Sequence, residues 1–261
     1  MRISYGKLRV PVHRIERDEL FACEIDVEVL GENFTAAYTE GDNSAVVATD
    51  TMKNFILREA LGYGGTALEG FLVFLGGRFL ETYPIMQALR LNARELRFDR
   101  AGHRVYSRSR DDRGTATVEI GPDGVTGVRG GLENLWLLKT SGSAFTRFAR
   151  DDYTTLPERG DRPLFVRLDL EWTYDGESYV APRAVREFVA QVFDEFVSAS
   201  IQHLVHEMGT RMLARYDEIA SVSFTAENHT RDPVGEDGER RVYTDPFPAQ
   251  GLITLTMERP C

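Results

Sequence analysis

The sequence has 261 residues, 42% of them hydrophobic, and its 31 Lys+Arg against 41 Asp+Glu give a formal net charge of −10. A chain of this length buries an ample core without disulfide or metal staples and makes one large domain or two smaller ones. So acidic a balance excludes nucleic acid and anionic membranes as partners read by bulk charge, yet leaves room for a local basic pocket that takes a small anion. Lysine occurs only at Lys7, Lys53 and Lys139, the other cations being arginines. Two cysteines, Cys23 and Cys261, make no disulfide framework, and Cys261 at the chain end is expected to be unbridged, which fits a reducing compartment. The N-terminal MRISYGKLRV holds no apolar stretch of signal-peptide length, the apolar run 71–75 is far too short for a bilayer, and the terminal MERPC is no peroxisomal address. A cytoplasmic protein is expected.

In chain order, residues 7–15 form a short Val-rich strand, and Glu24-Ile25-Asp26-Val27-Glu28-Val29 alternates as a half-buried antiparallel strand does. Asp18-Glu19 breaks between them, and Gly31-Glu32-Asn33 ends the second. Residues 44–48 run extended into Thr49-Asp50, where a helix begins with Met52, Phe55, Ile56 and Ala60 at helical spacing. Gly62-Tyr63-Gly64-Gly65 stops it. Thr66-Ala67-Leu68-Glu69 reads as a capping box for a second helix carrying Leu68, Phe71, Leu72, Leu75 and Phe79. Residues 89–98 and 104–108 are two further strands.

The second half repeats that order. A strand at 115–120, a turn at Gly121-Pro122-Asp123-Gly124 and a strand at 125–138 lead to Val166, Leu168, Leu170 and Trp172, which share one face. Two helices follow, lined by Val185, Phe188, Val189, Val192 and Phe196 and by Ile201, Leu204, Val205, Met208 and Met212. Strands at 222–226, 242–243 and 252–257 close the chain, with an acidic turn at 236–239. The order β-β-α-α-β-β thus occurs twice, with no repeat of residues. The expected fold is α+β, two similar antiparallel-sheet domains with helices on one face, 1–111 and 112–261, divided at the charged stretch 111–113.

Several chemistries lack their residues. Gly62-Tyr63-Gly64-Gly65 is not followed by the Lys-Ser/Thr of a P-loop, and no dinucleotide fingerprint occurs. His203 and His206 lie three apart on a helix without a Cys or further His beside them, and His206-Glu207 lacks the second His of a zinc-protease helix. Gly-x-Ser-x-Gly is absent, and Cys23 has no activating base nearby. Neither metal nor cofactor is expected. Two helix starts stand out instead. Thr49 as an N-cap leaves the amide of Asp50 pointing outward, and Ser200 as an N-cap leaves those of Ile201 and Gln202. Unpaired amides and the macrodipole make such starts anion sites, although plain capping accounts for both residues without a ligand.

Around these positions the sequence resembles the urate oxidase (uricase) family. The resemblance rests on Ser4-Tyr5-Gly6-Lys7, Tyr38-Thr39-Glu40-Gly41-Asp42-Asn43-Ser44, Val46-Val47-Ala48-Thr49-Asp50-Thr51-Met52-Lys53-Asn54 and Ser141-Gly142-Ser143-Ala144-Phe145. It continues through Phe148-Ala149-Arg150-Asp151-Asp152-Tyr153, Gly160-Asp161-Arg162-Pro163-Leu164-Phe165, Ser200-Ile201-Gln202 and Asn228-His229-Thr230, in family order over nearly the whole chain. The Asn-His-Thr order and the Pro-Leu-Phe after Arg162 resemble Bacillus-type members, beside which the N-terminal hairpin looks shorter.

The resemblance implies a tandem pair of tunnelling-fold (T-fold) domains and a homotetramer with active sites at subunit interfaces. It implies a cofactor-free reaction in which urate, dioxygen and water give 5-hydroxyisourate and hydrogen peroxide. It also implies roles. Lys7 matches the general base and Thr49 the hydroxyl that relays its proton. Urate reduces dioxygen directly only as an electron-rich dianion, so a base must take a second proton. A lysine does this near neutrality where burial or nearby positive charge depresses its pKa, and an arginine cannot. Arg162 and Gln202 match the pair that clamps urate's edges, one with bidentate donors and one with an amide that donates and accepts. Phe145 matches the aromatic that stacks on the purine. The amides of Asp50 and Ile201 match those that meet urate's carbonyl oxygens, and Asn228 with Thr49 those that hold dioxygen or water above the ring.

One departure bears on the proton relay. Many members carry Asn-x-His, whereas the order here is Asn228-His229-Thr230, and on an extended strand Asn228 and Thr230 share a face while His229 points away. Either a bulge turns His229 inward, or Thr230 and water take that part. Two other functions fit the same fold. A pterin-type cyclohydrolase or aldolase typically anchors its heterocycle with a Glu, where this chain has Gln202; a non-catalytic purine-binding protein has no reason to keep Lys7.

Overall fold

The computed structural model describes residues 2–245 and 248–260, so Cys261 lies outside the described residues. The chain packs into two compact units: one runs to Gly131 and takes in Gly176–Pro182, the other holds Leu132–Asp175 and the chain from Arg183 onward. The first unit opens with β1 (Ser4–Glu16), β2 (Glu19–Leu30), α1 (Thr35–Thr39), α2 (Thr49–Glu59) and α3 (Leu68–Thr82). It continues with β3 (Ala88–Glu95), β4 (Phe98–Arg100), β5 (Tyr106–Arg108) and β6 (Arg113–Gly121). Its sheet is antiparallel in the order β1-β2-β3-β6, with β4 and β5 a separate hairpin. A long β7 (Gly124–Lys139) carries the chain into the second unit. There follow β8 (Leu164–Tyr174), α4 (Pro182–Glu195), α5 (Ile201–Arg215), β9 (Ile219–Asn228), β10 (Pro233–Asp237), β11 (Arg240–Tyr243) and β12 (Gly251–Glu258). Here β8, β9 and β12 are successive antiparallel neighbours, and β10 with β11 forms a hairpin. No described helix is long and apolar enough to cross a membrane.

Alternation along β2 makes the first core. Phe21, Cys23, Ile25, Val27 and Val29 are buried and join Met52 and Ile56 of α2 and Phe71, Leu72, Leu75 and Phe79 of α3 in one cluster. Each such side chain contributes about 1.5–3 kcal/mol by leaving water. The intervening Glu24, Asp26 and Glu28 face the other way, toward Arg90 and Arg94 of β3. Burial pushes the Cys23 thiol up to about 12, so it is an inert core group. The second unit follows the same logic: Val166, Leu168, Leu170 and Trp172 of β8 are buried, and α5 packs on β9 and β12 through a stripe that includes Leu204, Met208 and Met212.

Some expectations change in the structure. Residues 44–48 form no strand; the Asp42 carboxylate accepts from the Ser44 amide at 2.9 Å and Val46 N donates to Asn43 O at 3.0 Å, curling this segment into turns. The capping box at Thr66–Glu69 does not form, because Ala67 is the N-cap and Glu69 is buried instead of reaching back. β6 pairs with β3 from Leu89↔Ile120 to Arg94↔Thr115, so it completes the first unit's sheet although it follows the charged stretch 111–113.

Candidate active site

In the first unit, Lys7 opposes Val27 on β2, on the same face as Tyr5. It is half-buried, and its ammonium makes no hydrogen bond or ion pair among the described residues. Beside it, a Cβ on Gly6 would lie 2.0 Å from the Val27 carbonyl oxygen, so only glycine lets β1 come this close to β2. Ser4 Oγ donates to Glu28 Oε1 at 2.6 Å on one side. On the other, the Tyr5 ring stands edge-on to Phe34 with centroids 4.8 Å apart. The Tyr5 hydroxyl accepts from the Val47 amide at 3.0 Å, and burial raises its pKa. Tyr5 therefore ties the strand bearing Lys7 to the segment that enters α2.

Thr49 is the first residue of α2, and the N-cap is Ala48, which makes no side-chain cap bond. The N-cap role expected of Thr49 is thus corrected: its hydroxyl is exposed and takes no part in capping. The first intrahelical bond is donated by Met52 N to Ala48 O, so the amide of Asp50 has no acceptor within the helix. The Asp50 carboxylate is held by Lys53 and by Asn54 Nδ2 at 3.0 Å. Lys53 above all, then the Asn54 hydrogen bond and least the charge of Lys7, keep that carboxyl below its ordinary pKa.

In the second unit, backbone pairing laces three segments together. Phe145 N donates to Arg159 O at 2.8 Å and Arg159 N to Phe145 O at 3.0 Å. Arg162 N donates to Ser143 O at 2.8 Å, and Ala144 N to Ser198 O at 2.8 Å. These bonds join Phe145 and Arg162 to the start of α5. There Ser200 does act as N-cap: its hydroxyl accepts from His203 N at 3.1 Å, leaving the amides of Ile201 and Gln202 without intrahelical acceptors. Ile201 is buried, while the Gln202 side chain is exposed. His203 turns back to accept from Ala199 N at 3.4 Å and packs against Phe196.

Arg162 does not pair with its neighbour Asp161, whose carboxylate accepts from Gly142 N at 2.6 Å and Ser143 N at 3.3 Å. Its guanidinium carbon lies 5.7 Å from the Phe145 ring centre, and its buried Nε has no hydrogen-bond partner among the described residues. Burial, reinforced by Arg159, lowers the Arg162 pKa. The Phe145 ring stacks on Phe148, centroids 4.9 Å apart and planes 11° from parallel. At the end of β9, Asn228 Nδ2 donates to Thr230 Oγ1 at 3.1 Å. His229 is buried, 4.5 Å from Trp136 by ring centres, with Nε2 3.3 Å from Glu227 Oε2. From Ser221 to Asn228 β9 keeps regular register on β8, and just beyond it His229 N donates to Phe165 O at 3.0 Å.

A pocket of about 140 Å³ in this unit has Arg162, Asn228, His229 and Thr230 in its wall. Arg159, Arg231 and Arg241 line it too, so four arginines face three carboxylates, Asp161, Asp232 and Glu236, in a chain of strongly negative net charge. Phe145, Ile201 and Gln202 are not part of this wall, but an arginine-rich pocket with a guanidinium close to an aromatic ring suits a planar anion.

The uricase family profile matches residues 26–125 and 128–251. A uricase of Haloferax volcanii is 40% identical, the match covering 98% of each chain. The chain belongs to the uricase family. A uric acid degradation bifunctional protein of Bacillus subtilis is 38% identical over 90% of this chain, which spans 53% of that longer protein. The crystal structure of the urate oxidase of Bacillus sp. TB-90 aligns with a TM-score of 0.90 at 34% identity, covering 98% of this chain and 100% of that one. The α+β architecture is accordingly that of the uricase T-fold.

Two features of this uricase-family chain escaped the sequence reading. The extra arginines of the pocket, Arg159, Arg231 and Arg241, are scattered in loops and a hairpin and follow no period. The second feature, an irregularity in β1 just after Lys7, does leave a trace in the sequence: Lys7 stands three residues before Val10, an odd separation for two side chains on one face of a strand.

Proposed function

We propose that this chain oxidises urate with dioxygen and water to 5-hydroxyisourate and hydrogen peroxide, without a metal or organic cofactor. The observation that carries this reading is Arg162, whose buried Nε has no partner among the described residues, in the wall of an arginine-rich pocket and beside the Phe145 ring, which is not itself part of that wall, on a chain of the uricase family. Urate binds as an anion, its edges on Arg162 and Gln202 and its ring on Phe145, with the helix-start amides of Asp50 and Ile201 on its carbonyl oxygens. Lys7, relayed by Thr49, takes a proton and leaves the dianion. Two electrons then pass to dioxygen held by Asn228 and Thr49, giving peroxide, and water adds to the oxidised ring. The first-unit groups of one chain serve the second-unit groups of another, in a homotetramer.

The decisive experiment follows the loss of urate absorbance together with oxygen uptake, after exhaustive dialysis against a chelator. Turnover at the undialysed rate is expected. Activity that returns only with an added metal or flavin overturns the cofactor-free reading, and absence of turnover under all conditions overturns urate oxidation.

The relay is completed by Thr230 and water, with His229 in a supporting role. Thr230 Oγ1 is bonded to Asn228, whereas the His229 ring is engaged with Glu227 and Trp136. General acid–base groups contribute about 10²- to 10⁴-fold in rate, so Thr230→Val is expected to lower kcat at least at the bottom of that range. His229→Ala is expected to lower thermal stability more than kcat. A thousandfold loss of kcat confined to His229→Ala would reverse the assignment.

A further inference from the structure

Which face a strand residue occupies is set by parity, and a slip of one residue turns it over. β1 buries Val10 and Val12 against the helices of the first unit. In an unbroken strand Lys7, three residues before Val10, would point to the opposite face, among Glu24, Asp26 and Glu28. Instead Lys7 opposes Val27 and Val10 opposes Ile25, so Leu8 and Arg9 together stand against the single residue Asp26. The extra residue is a β-bulge, and it alone brings Lys7 to the side where α2 begins. Arg9 adopts φ 57°, a left-handed conformation that disfavours any residue with a Cβ.

Asp26 holds this irregularity. Its Oδ1 accepts from the Arg9 amide at 2.7 Å, and its Oδ2 accepts from Arg94 at 2.8 Å. The residue is only 6% exposed, and the Arg94 guanidinium also reaches Glu24 at 3.4 Å. The second unit contains the same device without a lysine. Asn134 of β7 has φ 62°, its amide donates to Asp169 Oδ1 at 2.7 Å, and Arg167 holds Asp169 Oδ2 at 3.0 Å. Leu132 and Leu135, which stand to Asn134 as Lys7 and Val10 stand to Arg9, are both buried. The left-handed residue with its amide held by an aspartate therefore recurs in both units, and only the first copy has a titratable side chain two residues before it.

We propose that Asp26 is a positioning residue for the reaction: by anchoring the bulge at Leu8–Arg9 it fixes the face and aim of Lys7. The inference rests on the reading of Lys7 as the base. Asp26 itself touches no substrate, so its effect is transmitted through the strand.

The test compares kcat, KM and thermal midpoint of the full chain with those of Asp26→Ala, Asp26→Asn, the double variant Asp26→Ala/Arg9→Gly, and Lys7→Met. A displacement of about 1 Å costs on the order of 100-fold, so Asp26→Ala is expected to lose about that factor in kcat with KM nearly unchanged. Asn keeps an oxygen for the Arg9 amide but loses the charge facing Arg94, and a loss of only about 3- to 10-fold is expected. Glycine at position 9 adopts the left-handed conformation freely, so Arg9→Gly is expected to restore about tenfold in the Asp26→Ala background. A role confined to general stability would lower the thermal midpoint and leave kcat of the folded protein at the parental value. Parental kcat in Asp26→Ala, or a loss that neither Asn nor Arg9→Gly relieves, overturns the inference. Should Asp26→Ala fail to fold, Asp26→Asn and Arg94→Gln carry the test, and parental kcat in both overturns it. Lys7→Met separates the two levels: parental kcat there overturns the base assignment, whereas an inactive Lys7→Met beside a fully active Asp26→Ala overturns the positioning role alone.

Discussion

Lys7→Met is expected to lower kcat by about 10²- to 10⁴-fold, the usual contribution of a general base, while KM for urate changes little. The separation follows from where the groups lie. Lys7 is in the first unit, whereas Phe145, Arg162 and Gln202, the groups proposed to bind the ring, are in the second. Methionine keeps the length of the side chain and removes its charge. No hydrogen bond or ion pair is lost with that charge among the described residues, only a weak attraction to the exposed Asp50 carboxylate. The thermal midpoint of the variant should accordingly stay close to that of the parent. Lys7→Arg is expected to be as inactive as Lys7→Met, because a guanidinium cannot give up its proton near neutrality. Steady-state kinetics with calorimetry on the same samples decides the matter; a kcat within tenfold of the parent in either variant removes Lys7 from the role of base.

Much of this arrangement is legible in the sequence because periodicity reports burial. Strict alternation in β2 and β8 and the helical stripe of α5 predict the buried faces, since one side of each element must leave water. Local hydrogen-bond chemistry is less legible. Ser200 caps α5 as expected, yet Thr49 yields the cap to Ala48 and the Thr66–Glu69 box is overridden by burial of Glu69, which only tertiary packing decides. The bulge beside Lys7 depends on a partner strand, for Asp26 lies 17 positions from Arg9. Its copy at Asn134 and Asp169 shares with it only the two aspartates and an arginine in the third place, which is why the repeat shows in the backbone and not in the residues. Arg162 is the converse case. Its neighbour Asp161 suggests an ordinary loop ion pair, and only the three-dimensional fold diverts that carboxylate to the Gly142 and Ser143 amides.

Diversion of Asp161 leaves Arg162 poised for an external anion, and removing it is expected to have the largest effect on binding. Hydrogen bonds to a charged group contribute about 1.5–3 kcal/mol, so Arg162→Ala should raise KM for urate on the order of 100-fold. Arg162→Lys should recover little of this, because a lysine offers a point charge where a planar fork is needed. The substrate-free protein should meanwhile gain stability, since a buried Nε without a partner and a guanidinium disfavoured by burial and by Arg159 are both removed. Opposite signs for affinity and thermal midpoint distinguish a binding role from simple damage to the loop. The same variant also tests how sites are assembled. Lys7→Met and Arg162→Ala chains, differently tagged and co-expressed, should form mixed oligomers in which about a quarter of the sites combine an intact first unit from one chain with an intact second unit from another. Activity should rise well above that of either variant alone. Mixed oligomers that carry both tags and remain inactive would show that each site draws both sets of groups from a single chain.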